Sequence, residues 1–359
     1  MTPVQLEPPE FSLLVRCCKW NFATSETGAR PAIPRELDWN RFAGLARRHR
    51  VQGLAWNALA QHAQRLPPDL VGVLSSDARS IAATNLGIAA ECSALQNAFQ
   101  QADVPLLFVK GLTVGAQAYR SPMLKMGWDI DLLVDPSDLV VAADLLADHG
   151  YSLRLPPRLD QLQPWHGWSK ESVWARDGSL HVELHTRLAD NLRLIPKIDV
   201  HSARQTVEIA PGLTLPTLAK DELFAYLAVH GASSAWFRLK WISDFAALLH
   251  GQGAEEIERL YRRSQDLGAA RAASQALLLA DRLFDVLQHI PALREELARD
   301  RAAQLLCWAA WRLMTKGSRE PTERPLGTLA IHWTQFLLQP GLAFRFSELR
   351  RQAASFLNR

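Results

Sequence analysis

The chain has 359 residues, 48% of them hydrophobic and 21% charged, which is room for roughly two domains with real cores and excludes a disordered or low-complexity protein. Forty basic residues against 37 acidic ones leave a net charge of +3, so charge alone argues against a dedicated partner of long nucleic acid, and any basic site must be local. Cys17, Cys18, Cys92 and Cys307 show neither zinc spacing nor the density of a disulfide scaffold, the N-terminus lacks a signal-peptide pattern, and no apolar run reaches about 18 residues, so a cytoplasmic protein without a transmembrane segment is expected.

Residues 10 to 103 read as helical, with apolar side chains at three-and-four spacing in WNRFAGLARRHRVQGLAWNALAQH and again after Pro67-Pro68. At VPLLFVKG the texture changes to a buried strand that ends in a tight turn at Gly111, followed by a helix from about Thr113 to Tyr119. GWDIDLLV is a second strand, Pro136 opens the next helix, and Gly150 ends it. ESVWAR and SLHVELHTRL flank Asp177-Gly178, a strong hairpin signal, so an antiparallel pair with a two-residue turn is expected. From about 218 the pattern is helical to the end. The expected fold is α+β: a small mixed-sheet core (104–217) between an N-terminal helical segment (1–103) and a C-terminal helical domain (218–359).

Residues two apart on a strand share a face, so Asp129 and Asp131 project together while Ile130 and Leu132 take the other side. Two adjacent carboxylates repel unless a cation joins them, and hard oxygen ligands of this kind suit magnesium. A bare DxD is more often a solvated strand start; a third carboxylate changes the weighing. HVELH offers one, with His181, Glu183 and His185 on a common face. A two-residue turn pairs Arg176 with Ser179, which sets Ser172 opposite Glu183 and Lys170 opposite His185. Lys170 then shares a face with Glu183, either as a cation for a polyphosphate or as an ordinary cross-strand partner.

Lys110-Gly111 ahead of a helix presents backbone N–H groups as an anion site. Farther along, His230, Ser234 and Arg238 follow at four-residue spacing, and Lys240 precedes Asp244 by four, which reads as a surface ion pair or as Arg238 or Lys240 touching a phosphate or acceptor. The two histidines beside Glu183 do not match a common zinc spacing and are read as supporting or acceptor-side groups. Trp165, His166 and Trp168 lie in an expected Pro-bounded loop, for packing or for stacking on a base or sugar. The terminal AFRFSELRRQAASFLNR reads as a solvated helix, with a membrane surface or a partner as the other possibility.

The order LLFVKG, a helix carrying Tyr119, MGWDIDLLV, then VELH resembles the polymerase β-type nucleotidyltransferase superfamily. More closely it looks like that superfamily's poorly characterised bacterial branch, in which a lysine-glycine turn stands where better-known members have glycine-serine. HGASSAWFRLKWISDFAALL is similar to the helical region that follows the core in that branch, and the likeness spans roughly residues 104 to 250. The resemblance implies a nucleotidyltransferase core in which Asp129 and Asp131 bind two Mg2+ ions and Glu183 supplies the third carboxylate. Lys110 and Gly111 would face the triphosphate of an NTP, ATP included, without the usual serine hydroxyl.

The implied activity is Mg-dependent transfer of a nucleoside monophosphate to a hydroxyl or phosphate of a small molecule, sugar, peptide or protein, releasing pyrophosphate. A non-catalytic, antitoxin-like binding module of the same fold and a metal-dependent hydrolase using the histidines are the alternatives. No feature of the loops marks the acceptor.

Overall fold

The computed structural model describes residues 8–27, 31–176, 180–317 and 319–357. The apolar periodicity of the first hundred residues folds as α1 (Pro9–Thr27), α2 (Trp39–Arg48), α3 (Gln52–Leu59) and the long α4 (Pro68–Gln101). Asp38 caps α2 by accepting the Arg41 N–H at 2.9 Å, and Arg47 and Arg48 occupy its last turn, where a helix dipole favours cations. Pro68 opens α4 at a position whose N–H no helix uses.

The middle of the chain runs β1 (Leu107–Phe108), α5 (Leu112–Tyr119), β2 (Asp129–Leu133), α6 (Leu139–Asp148), β3 (Ser152–Leu155), α7 (Leu162–Trp168), β4 (Glu171–Ala175) and β5 (His181–His185). These strands form one sheet in the order β1-β2-β5-β4-β3. β2 and β5 are parallel and the other neighbours antiparallel, so the sheet is mixed, as expected. A parallel pair needs a crossover, and the segment from α6 through β4 provides it. One sheet face carries Ile130, Leu132, Trp174, Val182 and Leu184, buried against Ile88, Leu95 and Phe99 of α4 and Leu146 of α6. At about 1.5 to 3 kcal/mol per buried large side chain, this face decides which way every strand points.

That burial also sets the hairpin register, which differs from the sequence expectation. Val173 pairs with Glu183 and Glu171 with His185, one residue away from the expected partners Ser172 and Lys170. The Arg176 N–H donates to the Leu180 carbonyl at 3.4 Å, which leaves three residues between the strands where two were expected. The proposed turn Asp177-Gly178 itself lies outside the described residues. The expected register would have turned Trp174 away from the core; the observed one keeps it 2% exposed among Val182 and Leu184.

Two features had no reading in the sequence. β3 is a short, mostly exposed edge strand, and β6 (Arg204–Ala210) and β7 (Leu213–Leu218) form a separate two-stranded sheet whose Ile209 and Leu215 join the sheet core. Trp165, His166 and Trp168 belong to α7, a helix where a loop was expected.

The C-terminal part comprises α8 (Lys220–Ser233), α9 (Leu239–Leu249), α10 (Ala254–Asp266), α11 (Ala270–Phe284), α12 (Pro291–Ala298), α13 (Arg301–Thr315), α14 (Leu329–Gln335) and α15 (Leu342–Leu357). Between α8 and α9 the chain turns sharply: Ala235 and Trp236 have φ of +47° and +51°. The Trp236 ring lies so close to Gly231 that a Cβ there would sit 2.3 Å from it. His230, Ser234 and Arg238 therefore do not share one helix face; Arg238 is instead the residue that precedes α9. Phe11, Phe42 and Leu59 from the N-terminal helices share one core with Phe224, Phe245 and Leu277 from the C-terminal ones. Among the described residues no helix is long and apolar enough to cross a membrane.

Candidate active site

Opposite the buried face, the same strands carry the charged residues. The parallel register sets Asp131 directly across from Glu183 and Asp129 across from His181, so three carboxylates and His185 line one sheet face. β1 runs antiparallel to β2, with the Val109 N–H donating to the Asp131 carbonyl at 3.2 Å, and this delivers Lys110 to the carboxylates. The Lys110 Nζ lies 2.5 Å from Asp131 Oδ1 and 3.8 Å from Glu183 Oε2. Gly111 follows with φ +66° and ψ −122°, backbone that a side chain resists, and it caps α5 at the edge of the same cleft.

His185 is fully buried behind the pair. Its Nε2 is 3.1 Å from Asp131 Oδ1 and 3.6 Å from Glu183 Oε2, and its Nδ1 is 3.4 Å from Glu171 Oε2. Glu171 in turn pairs with Lys170. Desolvation alone would raise the carboxyls of Asp131 and Glu183; the nearby ammonium of Lys110 and the His185 imidazole outweigh it and hold both below the ordinary range. Desolvation and Lys170 press the His185 pKa down, yet Glu171, Asp131 and Glu183 together hold it above the usual imidazole value. Burial pulls on Lys110 as well, but Asp131 keeps it firmly protonated. Glu171 went unread in the sequence because the assumed turn was one residue too short, which placed Lys170 on its face.

The carboxylates open into a cleft of about 510 Å³ whose walls include Arg50, Lys110, Lys125, Lys170, Arg238 and Lys240. Six carboxylates, of Asp129, Asp131, Glu171, Glu183, Asp190 and Asp244, line the same walls, so the cleft is densely charged and its cations are concentrated there without a net excess. Arg238 is held by Glu320 through contacts of 2.7 and 2.5 Å. Lys240 does not pair with Asp244 as its spacing suggested: Asp244 is buried, approached by Lys125 at 3.4 Å and by the Tyr119 hydroxyl at 2.9 Å. Lys240 has no ion-pair partner among the described residues, and burial next to Lys125 pulls its ammonium down to about 7. Arg50 stacks 3.7 Å over the Trp128 ring at the cleft mouth.

Other sequence candidates fall elsewhere. Trp165 donates its indole N–H to the Glu171 carbonyl at 2.7 Å and stacks edge-on against Trp168, while His166 bonds to Thr186 at 2.9 Å. They brace β4 and do not line the cleft. His181 is exposed at the start of β5, where it borders a neighbouring cleft. In α15 Glu348 is buried, accepting from Asn191 at 2.8 Å, so the terminal helix is docked on one side.

The donor set fits a divalent cation. Asp131, Glu183 and His185 each offer one ligand atom, all within 4.8 Å of one another, and Asp129 adds a carboxylate on the same face. Compared with known proteins, residues 35–285 match a family model described as "Uncharacterised nucleotidyltransferase". No curated protein matches the chain.

Proposed function

From the premise that this chain belongs to that family of nucleotidyltransferases and transfers nucleotidyl groups, we propose that it does so with Mg2+, two ions, held by Asp129, Asp131 and Glu183, moving a nucleoside monophosphate from an NTP to a small-molecule acceptor. The observation that carries this reading is the β2–β5 register, which sets Glu183 beside Asp131 and turns a DxD pair into three carboxylates on one wall of a cleft that six lysine and arginine side chains also line. Bound Mg2+ would offset the charge of the phosphates and of the developing pyrophosphate.

The chain's own residues do the rest. Lys110, Lys125 and Lys240 attract and orient the triphosphate in the cleft, and the Gly111 turn lets backbone approach the phosphates closely. Arg50 and Arg238 add two guanidinium groups to the cleft wall. Lys170 balances Glu171 and leaves Glu183 ionised. Glu183, partly exposed and held as a carboxylate, receives the acceptor's proton as its oxygen attacks the α-phosphorus. His185 fixes the orientation of Asp131 and Glu183 from behind. Incubating the protein with Mg2+, each of the four NTPs and a panel of small hydroxyl compounds as acceptors, and following pyrophosphate release, tests the reading: one NTP is consumed by the native chain and not by Glu183→Gln. Equal release by the variant would refute the assignment.

A further inference from the structure

Two of the three carboxylates, Asp129 and Glu183, lie between two clefts. Together with Trp128 they line the cleft described above and also a second one of about 520 Å³ that extends from them toward α4. The second cleft runs between the middle of α4, Val173 of β4 and the start of β5. Ser80, Ile81 and Thr84 come from the helix, Val173 from β4, and Leu180 and His181 from the entry to β5. Unlike the first, it is lined by no lysine or arginine among the described residues.

We propose that this second cleft is the acceptor site, and that it takes a small hydroxyl compound with an apolar face that is either uncharged or amine-bearing, and excludes phosphorylated acceptors and nucleic acid. The inference rests on the nucleotidyl-transfer reading and deepens it. In-line displacement puts the attacking oxygen and the leaving group on opposite sides of the α-phosphorus. Lys110, Lys125 and Lys240 place the triphosphate, and with it the leaving pyrophosphate, in the first cleft. The acceptor oxygen then arrives from the other side, where the second cleft opens onto Glu183. There the oxygen forms its bond to the α-phosphorus, the bond to the bridging oxygen breaks, pyrophosphate leaves with the electron pair, and the hydroxyl proton passes to Glu183.

With Mg-NTP in place the three carboxylates and the triphosphate carry more negative charge than two divalent ions offset, so an acceptor with its own phosphate would meet a net like charge, with no lysine or arginine among the described residues of the second cleft to pair it. An amine there meets that surplus of negative charge. Ile81, Val173, Leu180 and the half-exposed Trp128 ring suit the apolar face of a ring, and Ser80 and Thr84 supply hydroxyls for its polar edge.

The test supplies the full-length protein with Mg2+, the four α-32P-labelled NTPs and one of four acceptors: methyl glucoside, methyl glucosaminide, glucose 6-phosphate or a short single-stranded RNA. Label is expected on a glycoside and not on the phosphorylated compounds, and Thr84→Arg is expected to cut it at least tenfold, with NTP affinity read by calorimetry to separate loss of acceptor from loss of nucleotide. Label on glucose 6-phosphate or RNA, or glycoside labelling that survives Thr84→Arg, overturns the assignment. A protein that binds Mg-NTP tightly yet labels neither glycoside overturns the acceptor class alone. A protein that binds no NTP brings down the nucleotidyl reading and this inference with it.

Discussion

The Nζ of Lys110 sits 2.5 Å from Asp131 Oδ1 and thereby supplies, from within the chain, positive charge to the carboxylates that are proposed to hold metal. Removing that ammonium leaves Asp131 and Glu183 facing each other inside the protein. Breaking a buried pair by deleting one partner typically costs about 3 to 5 kcal/mol. Lys110→Met is therefore expected to lower the melting temperature in metal-free buffer and to recover much of the loss when Mg2+ or Mn2+ is added, while binding divalent metal more tightly than the native chain. Equal metal affinity in both proteins would show that the lysine and the metal do not compete for the same carboxylates.

Lys240 gives a pH dependence. Its pKa of about 7 means that it is charged below neutrality and increasingly neutral above it. A triphosphate binds the charged form, so this residue favours NTP binding at pH 6 and withdraws that help by pH 8 to 9. Calorimetric affinity for Mg-ATP, or for whichever NTP binds best, is expected to fall over that range in the native protein. Lys240→Met is expected to bind more weakly at pH 6 and to show a flatter profile. A profile identical to the native one would remove Lys240 from the binding site.

The hairpin register predicts opposite outcomes for neighbouring residues. Glu171 faces Lys170 and His185 on the charged side of the sheet, whereas Ser172 lies on the buried side with its hydroxyl accepting from the Trp174 indole at 3.0 Å. Glu171→Ala leaves Lys170 without its partner and is expected to cost several times as much stability as Ser172→Ala, for which about 1 kcal/mol is the ordinary loss. Denaturant melts of the two variants decide it. The reverse order would restore the two-residue turn.

Gly231 serves as a test away from the chemistry. A Cβ there meets the Trp236 ring at 2.3 Å, so Gly231→Ala must push apart the α8–α9 corner. An overpacked core of this kind loses about 1 to 3 kcal/mol, visible as a lower thermal midpoint. An unchanged midpoint would mean that the corner yields freely.

Much of this was legible in the chain. DIDLL and HVELH alternate with period two, and the apolar half of each strand packs where the pattern says it must, which leaves Asp129, Asp131 and Glu183 on the other face. Periodicity cannot count turn residues, and one extra residue between Arg176 and Leu180 exchanged Lys170 for Glu171 on the face of β4. The spacing of Lys240 and Asp244 implied a helix-surface pair, but Lys125, distant in sequence, approaches Asp244 through tertiary packing. Arg238 reads as part of a helical stripe until Trp236 packs on Gly231 and breaks the helix before it. Arg50, from the loop after α2, reaches the cleft only because the N-terminal helices share a core with the C-terminal ones, a long-range fact that no local pattern encodes.

Asp131 and Glu183 are proposed to hold metal for a bound nucleoside triphosphate. Isothermal titration of each NTP with and without Mg2+ into the native chain and into Asp131→Asn measures this directly. The account predicts Mg-dependent binding of at least one NTP to the native chain, weakened at least tenfold by Asp131→Asn and abolished by chelator. Binding of the same strength in the variant, or in the absence of divalent metal, would contradict it.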